Sequence, residues 1–395
     1  MARIVFAWEL GGHTGHVTTL LPIARALRAR GHEVDFLLRD PRAGADFADV
    51  ADLPRAAAPI WVGPVKYPNP LNFGQILQNF GYQYPDSLRQ LIDAWRERLA
   101  GAHGVVVNVS PAAHLAARTL GIPSFETSQG FHVPPPSMPA PPLRHWELAP
   151  RAQLEADDRD VLNAMNSVLV AHGSAALETI GDLFVGRTML LTYPELDIYP
   201  ERGPAEYFGV PRGGEGSTEP EWPQGSGPRV LGYVYNYFVG IEPLLQSLTE
   251  LRAPTLVLCR GANPEILRRH EGGCVKVLNE PMRISTVLPQ ADLVACHGGH
   301  QTTAQALLAG KPLLMIPTQL EQFLIMWRVV RLGAGLGIDP AVPGADYGKA
   351  VGELAAGPFA ARAQAFAQRY ANHDPDAALA TMVDRVERAA LQADA

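Results

Sequence analysis

Three cysteines in 395 residues, Cys259, Cys274 and Cys296, are too few and too irregularly spaced for a disulfide framework or a thiolate metal site. They suit reduced, buried thiols, the pattern expected in the cytoplasm. No window approaches the roughly 18 consecutive apolar residues of a membrane-spanning helix. The N-terminal run Met1 to Glu9 is also too short for the core of a signal sequence. Positive charge is in deficit: the formal net charge of −7 leaves no electrostatic footprint for nucleic acid. No Gly-x-Ser-x-Gly elbow occurs, which excludes hydrolases of that design. Gly333-Ala334-Gly335-Leu336-Gly337 follows a helical pattern rather than a strand, so it is expected to stop a helix instead of opening a dinucleotide site. Internal repeats and coiled-coil heptads are absent too. What remains is a soluble chain that handles small molecules.

The composition, 47% hydrophobic and 18% charged, is that of a globular protein, and the length is excessive for one core but natural for two. Short β-rich runs alternate with helical patterns, as parallel doubly wound sheets require. Strands are expected at Ile4–Trp8, Glu33–Leu38, Val105–Val109, Ser124–Thr127 and Met189–Thr192, with helices at Val17–Arg30 and Ala112–Leu120. A second series begins at Arg229 and continues through Thr255–Cys259, Val275–Leu278, Asp292–Cys296 and Leu313–Ile316. Between the two series lies a stretch rich in glycine and proline. The reading is therefore an α/β protein with a first domain over 1–205, a linker over 206–228, a second domain over 229–372, and a closing helix within 373–395 able to pack on either domain.

Two turns carry the chemistry. Trp8-Glu9-Leu10-Gly11-Gly12-His13-Thr14-Gly15-His16 links the first strand to its helix, at the carboxyl edge of a sheet where doubly wound folds bind ligands. An imidazole at a helix N-terminus is kept neutral and can accept a proton from a hydroxyl. Taken alone, His13 reads as a loop residue and His16 as an N-terminal helix residue. The second turn, His297-Gly298-Gly299-His300-Gln301-Thr302, follows an apolar strand and opens a helix, so its unpaired amides form a seat for an anion such as a diphosphate. Glu321-Gln322 lies further along. His300 is placed equally well on a ligand or in solvent.

Gly15-His16, Arg30-Gly31-His32-Glu33-Val34, His297-Gly298-Gly299, Gly310-Lys311-Pro312 and Glu321-Gln322 resemble, in this order, the GT-B nucleotide-sugar glycosyltransferases of the macrolide-type and plant-type UDP-glycosyltransferase family. The likeness is strongest from Asp292 to Gly337. It implies two Rossmann-like domains facing each other across a cleft, and an inverting, metal-independent transfer of a sugar to a hydroxyl of a small, apolar or aromatic acceptor. The nucleotide-diphosphate sugar is then a substrate and no cofactor is required. By the same resemblance His16 is the general base, and His297, Gly298, Gly299, Gln301 and Thr302 hold the diphosphate. Glu321 and Gln322 take the sugar hydroxyls.

The chain departs from the family pattern at three places. The residue expected to orient the base is Asn108 where relatives carry Asp, with Glu9 and Glu126 as possible substitutes. Asn279 stands where plant-type members place a Trp under the nucleobase. Tyr235-Asn236-Tyr237 replaces a Gly-Ser or Gly-Thr pair, leaving Asn236 as a phosphate donor or a strand end. Two alternatives therefore stay open: a noncatalytic binding or auxiliary protein of GT-B fold, and a sugar-nucleotide epimerase. Sugar, nucleobase, acceptor and oligomeric state are not specified.

Other features have plain readings. Asp158-Arg159-Asp160 is expected on a solvated helix face rather than at a metal. His172 is expected at a helix entry. Phe73, Phe80, Tyr82 and Tyr84 form either a partly buried loop and helix or an aromatic wall for an acceptor, and Pro134 to Pro142 reads as a stiff loop.

Overall fold

The computed structural model describes residues 1–12, 15–43, 53–212, 215–270 and 272–392, the side chain of Leu267 excepted. The chain divides into two compact units, Met1–Tyr193 with Tyr199–Pro211 and Asp374–Ala395, and Pro194–Ile198 with Arg212–His373. The stretch expected as a linker is thus shared between them. Leu190 bridges to Tyr207 in the first unit, and Thr218 bridges to Met282 in the second.

In chain order the first unit contains β1 (Arg3–Trp8), α1 (Gly15–Ala29), β2 (Glu33–Leu38), β3 (Arg55–Ala57), α2 (Phe73–Gln78), α3 (Pro85–Leu99), β4 (Gly104–Val107), α4 (Pro111–Leu120), β5 (Ser124–Ser128), α5 (Arg151–Ala171) and β6 (Thr188–Leu190). The second contains β7 (Val230–Tyr233), α6 (Ile241–Glu250), β8 (Thr255–Leu258), α7 (Pro264–Arg269), β9 (Val275–Leu278), α8 (Ile284–Val287), β10 (Leu293–Cys296), α9 (His300–Leu308), β11 (Leu313–Met315), α10 (Leu320–Leu332), β12 (Gly335–Gly337), α11 (Tyr347–Ala356) and α12 (Phe359–Arg369). The last helix, α13 (Pro375–Gln392), belongs to the first unit.

Each unit is built on a six-stranded parallel sheet, in the order β3-β2-β1-β4-β5-β6 and, read from its far edge, β9-β8-β7-β10-β11-β12. The two orders are the same. In both, the chain switches direction between the first and fourth strands, where the carboxyl edge opens a crevice for ligands. Alternation along β1 sends Ile4 and Phe6 towards α1 and α13, and Val5 and Ala7 towards the layer of α3, α4 and α5. A strand buried on both faces has no polar side to display, which explains its continuous apolar run. Met382, Val383, Val386 and Ala390 seat α13 in the same core. His32 tightens that seat, because Nδ1 accepts the Ala2 amide at 3.3 Å and Nε2 meets Glu387 at 2.8 Å.

Several expectations need correction. β3 is a three-residue edge strand that the sequence pattern did not reveal. The glycine run stops α10 at Gly333, as expected, but Gly335–Gly337 then forms β12. His172 ends α5 instead of opening a helix. The acidic run is solvated only in part: Arg159 and Asp160 are exposed, but Asp158 is buried, as is Asp157 before it. Asp158 accepts from Asn72 Nδ2 at 2.8 Å and the Ala140 amide at 2.6 Å, while Asp157 accepts from Tyr67 Oη at 2.7 Å and Gln75 Nε2 at 2.8 Å. Phe73 and Tyr82 are core residues, which favours the partly buried reading of their segment. Among the described residues, no helix is long and apolar enough to cross a membrane.

Candidate active site

The switch point of the first sheet brings His16 and Asn108 together. His16 lies in the first turn of α1, and Asn108 directly follows β4. The imidazole stacks on Trp8, with ring centroids 4.9 Å apart and planes 20° from parallel. Trp8 is itself anchored, its indole N–H donating to the Leu10 carbonyl at 2.6 Å. The Gly11 backbone approaches so closely that a Cβ there would come within 2.8 Å of His16 Nε2. His13 falls outside the described residues.

Hydrogen bonds set the chemistry of this pair. The Asn108 side-chain N–H donates to the Thr127 carbonyl, and the Asn108 backbone N–H donates to Ala7 at 2.9 Å. With its nitrogen engaged there, the amide turns Oδ1 towards His16 Nδ1 at 2.6 Å. An amide oxygen only accepts, so His16 carries its proton on Nδ1 and presents Nε2 as the basic nitrogen.

The two candidate substitutes for a carboxylate partner are committed elsewhere. Glu9 receives Tyr82 Oη at 3.0 Å, Ser110 Oγ at 3.1 Å and the Ala112 amide at 3.0 Å. Burial outweighs these bonds and lifts its carboxyl to about 7. Glu126 accepts the Val109 amide at 2.9 Å and meets His114 Nε2 at 3.2 Å. His16 Nδ1 meets Asn108 instead. A residue that sequence reasoning missed is His132, whose imidazole packs against Phe131 and edge-on to Phe73. Burial, with a smaller contribution from His16, lowers its pKa to about 3, so it is neutral. Its position between Phe131 and a proline-rich loop carries no motif that would have marked it.

The second sheet presents its own switch point, between β7 and β10. His297 follows β10, Gly298 takes a left-handed φ of 88°, and Gly299 caps α9. A side chain at Gly298 would meet Met315 Cε at 3.0 Å and the Gln322 carbonyl at 3.1 Å, so only glycine fits without displacement. The α9 amides that begin after this turn have no earlier carbonyl within the helix to bond, the arrangement that in general favours an anion at a helix start.

His297 is held by backbone groups on both ring nitrogens. Its Nδ1–H donates to the Ile316 carbonyl at 2.7 Å, and Nε2 accepts the Tyr235 amide at 2.9 Å. Burial lowers its pKa, so the ring is neutral and its one N–H is given to the Ile316 carbonyl. Tyr235 stacks on it at 4.5 Å, and Tyr237 stacks on Tyr235 at 5.0 Å. His300 is buried at the start of α9, its pKa lowered to about 4 by burial against an opposing pull from Asp197.

Asn236 and Asn279 both fasten the loop after β8: Asn236 Nδ2 donates to the Gly261 carbonyl at 3.1 Å, and Asn279 Oδ1 accepts the Ala262 amide at 3.2 Å. A cavity of about 200 Å³ lies beside the start of α9, lined mostly by apolar groups such as Leu231, Tyr233, Pro281 and Met282, with Gln301 and Thr302 on its α9 wall. Gln322 is buried and accepts the Thr318 amide at 2.8 Å. Glu321, half-buried in the first turn of α10, has no hydrogen-bond partner among the described residues, and desolvation raises its carboxyl to about 7.

Residues 14–157 match the family model of a glycosyl transferase 4-like domain. No curated protein sequence matches the chain. Among solved structures, the calicheamicin glycosyltransferase CalG4 is 20% identical with a TM-score of 0.70, over 98% of this chain and 98% of that one. The glycosyltransferase VinC in complex with dTDP is 19% identical with a TM-score of 0.68, over 99% and 100%. The spinosyn rhamnosyltransferase SpnG complexed with spinosyn aglycone is 18% identical with a TM-score of 0.61, over 97% and 100%. These likenesses establish the GT-B fold.

Proposed function

The GT-B fold, together with the glycosyltransferase match of residues 14–157, supports a transferase of GT-B type, and we propose that it moves a sugar from a nucleoside diphosphate to a hydroxyl of a small apolar or aromatic acceptor, with inversion and without a metal. One observation carries the reading: Asn108 holds His16 in the tautomer whose Nε2 can take a proton. In the proposed step the acceptor O–H gives its proton to Nε2 while its oxygen bonds to the anomeric carbon. The bond from that carbon to the phosphate oxygen breaks, and its electron pair leaves with the nucleoside diphosphate. Charge developing on that oxygen is received by amides at the start of α9, a preorganised dipole that removes the need for a cation.

The cavity beside α9 suits a nucleobase: its lining is mostly apolar, with a few amide and hydroxyl groups on one wall. Glu321 serves the sugar, since an unengaged carboxyl in a half-buried place accepts hydroxyls well. Gln322 and His297 act as braces, one anchored through Thr318 and the other through Ile316 and Tyr235. That VinC was solved with dTDP and SpnG with an aglycone is consistent with a nucleotide and a small acceptor as partners here.

The test is a thermal-shift screen with UDP, dTDP and GDP sugars, followed by turnover with the stabilising donor in excess chelator and NMR of the product's anomeric centre. A ligand held only by the folded form raises the melting temperature. Inverted configuration and chelator-insensitive turnover are expected. Retention, or loss of turnover on chelation, would contradict the mechanism. A noncatalytic binding protein is the second reading, favoured by an amide rather than a carboxylate at His16 Nδ1; it is distinguished by donor binding with no turnover against any acceptor.

A further inference from the structure

Val109, directly after Asn108, has a φ of 56°. A β-branched residue in the left-handed region is strained, and such a conformation persists only where its surroundings over-determine it. Three bonds do so. The Val109 carbonyl accepts the Leu10 amide at 2.9 Å and the Glu9 amide at 3.3 Å, and the Val109 N–H donates to Glu126 Oε1 at 2.9 Å. The first two tie the turn to the end of β1. The third is the only side-chain bond of the set, and it comes from a residue in the middle of β5 that is 1% exposed.

We infer that Glu126 is a positioning residue: by holding the Val109 amide it keeps the turn in its strained form and so aims Asn108 at His16. The inference rests on the reading of His16 as the base.

The rest of the buried cluster explains why a carboxyl can serve in an apolar sheet. Glu126 Oε2 meets His114 Nε2 at 3.2 Å, and His114 Nδ1 meets Ser124 Oγ at 2.9 Å. Burial holds the carboxyl well above its ordinary range and the imidazole down to about 3, so both are neutral. The acid proton on Oε2 then points at His114 Nε2, the His114 Nδ1–H points at Ser124, and Oε1 is left as a carbonyl-like acceptor for Val109. A glutamine presents the same pattern, with an N–H in place of the O–H.

The test compares variants in the full chain by kcat, donor affinity, pH profile and the ¹⁵N shifts of the His16 ring. Glu126→Gln should match the native enzyme in all four. Glu126→Met leaves the Val109 amide without an acceptor, and kcat should fall by on the order of 100-fold at unchanged donor affinity, as expected for a reactive group displaced by about 1 Å. The His16 ring should lose its single Nδ1–H tautomer. Adding Val109→Gly to Glu126→Met makes the left-handed turn unstrained and should recover part of the lost kcat and the tautomer signal, which loss of packing alone would not allow. If the Met variant fails to fold, Glu126→Asp shortens the reach to Val109 and should show the same changes in weaker form. An unaltered tautomer and kcat in the Met or Asp variant overturns the inference, as does a double variant no better than the single, or a Gln variant that loses the tautomer. Because the ring signal is read without turnover, it judges Glu126 even if His16→Ala proves fully active, a result that would sink the base reading instead.

Discussion

The turns after β4 and β10 occupy the same place in two sheets of the same strand order, yet they are made differently. After β4 come Asn108 and then Val109 at a φ of 56°; after β10 come His297 and then Gly298 at 88°. In each, the first residue reaches across the switch point, Asn108 to His16 and His297 to the amide of Tyr235. In each, the second bends the chain left-handed before a helix begins. Glycine makes that bend at no steric cost, whereas valine costs roughly 1–3 kcal/mol and needs outside bonds. At Gly298, Met315 and the Gln322 carbonyl leave no room for a side chain, while the Val109 side chain is accommodated in the core and its turn is clamped by hydrogen bonds.

The largest effect that would sharpen this contrast is on turnover. His16→Ala should lower kcat by about 100- to 10,000-fold, the usual contribution of a positioned base. An active variant would leave the first turn without a chemical role. Next, Gly298→Ala forces a Cβ against Met315 and the Gln322 carbonyl in a left-handed conformation. A loss of more than about 1 kcal/mol of stability is expected in denaturant melts. An unchanged midpoint would erase the distinction between the two bends.

Asn108→Asp tests the first turn more gently. A negative charge at Nδ1 favours the imidazolium, so the His16 pKa rises and the acid limb of the kcat/KM profile moves to higher pH, with faster turnover on the alkaline plateau from a stronger base. An unmoved limb would mean that this position does not orient the base. The smallest effect concerns Glu9, whose carboxyl burial lifts from 4.5 to about 7. A raised acid binds its proton more tightly when folded. Its contribution to stability is therefore complete below about pH 4.5 and is lost as pH rises to about 7. Glu9→Gln should flatten that part of the melting-temperature curve, and an unchanged slope would contradict the assignment.

The strands and the two turns were legible because both signals are local: apolar runs bounded by turn residues, and glycines where a strand meets a helix. β3 was not, since two half-buried residues and one exposed one make no pattern. Asp158 was misjudged because its partner Asn72 lies 86 positions away in the chain, where no spacing rule reaches. The division of roles within the site was equally hidden. Sequence placed Asn108 opposite His16, but the direction of its amide depends on the Thr127 carbonyl. His297 opens the turn as expected, yet both of its ring nitrogens are taken by backbone groups from other strands. Asn236 and Asn279 brace one loop, a shared task visible only once β7, β8 and β9 lie side by side.

The central claim is a division of labour, in which the turn after β10 grips the donor and the turn after β4 aims the base. Calorimetric titration of the stabilising nucleotide sugar into the native protein, His16→Ala and Gly298→Ala tests it most directly. Native-like affinity is expected for His16→Ala, with affinity at least about tenfold weaker for Gly298→Ala, as a displaced anion seat implies. Equal affinity in all three proteins, or loss confined to His16→Ala, would contradict the account.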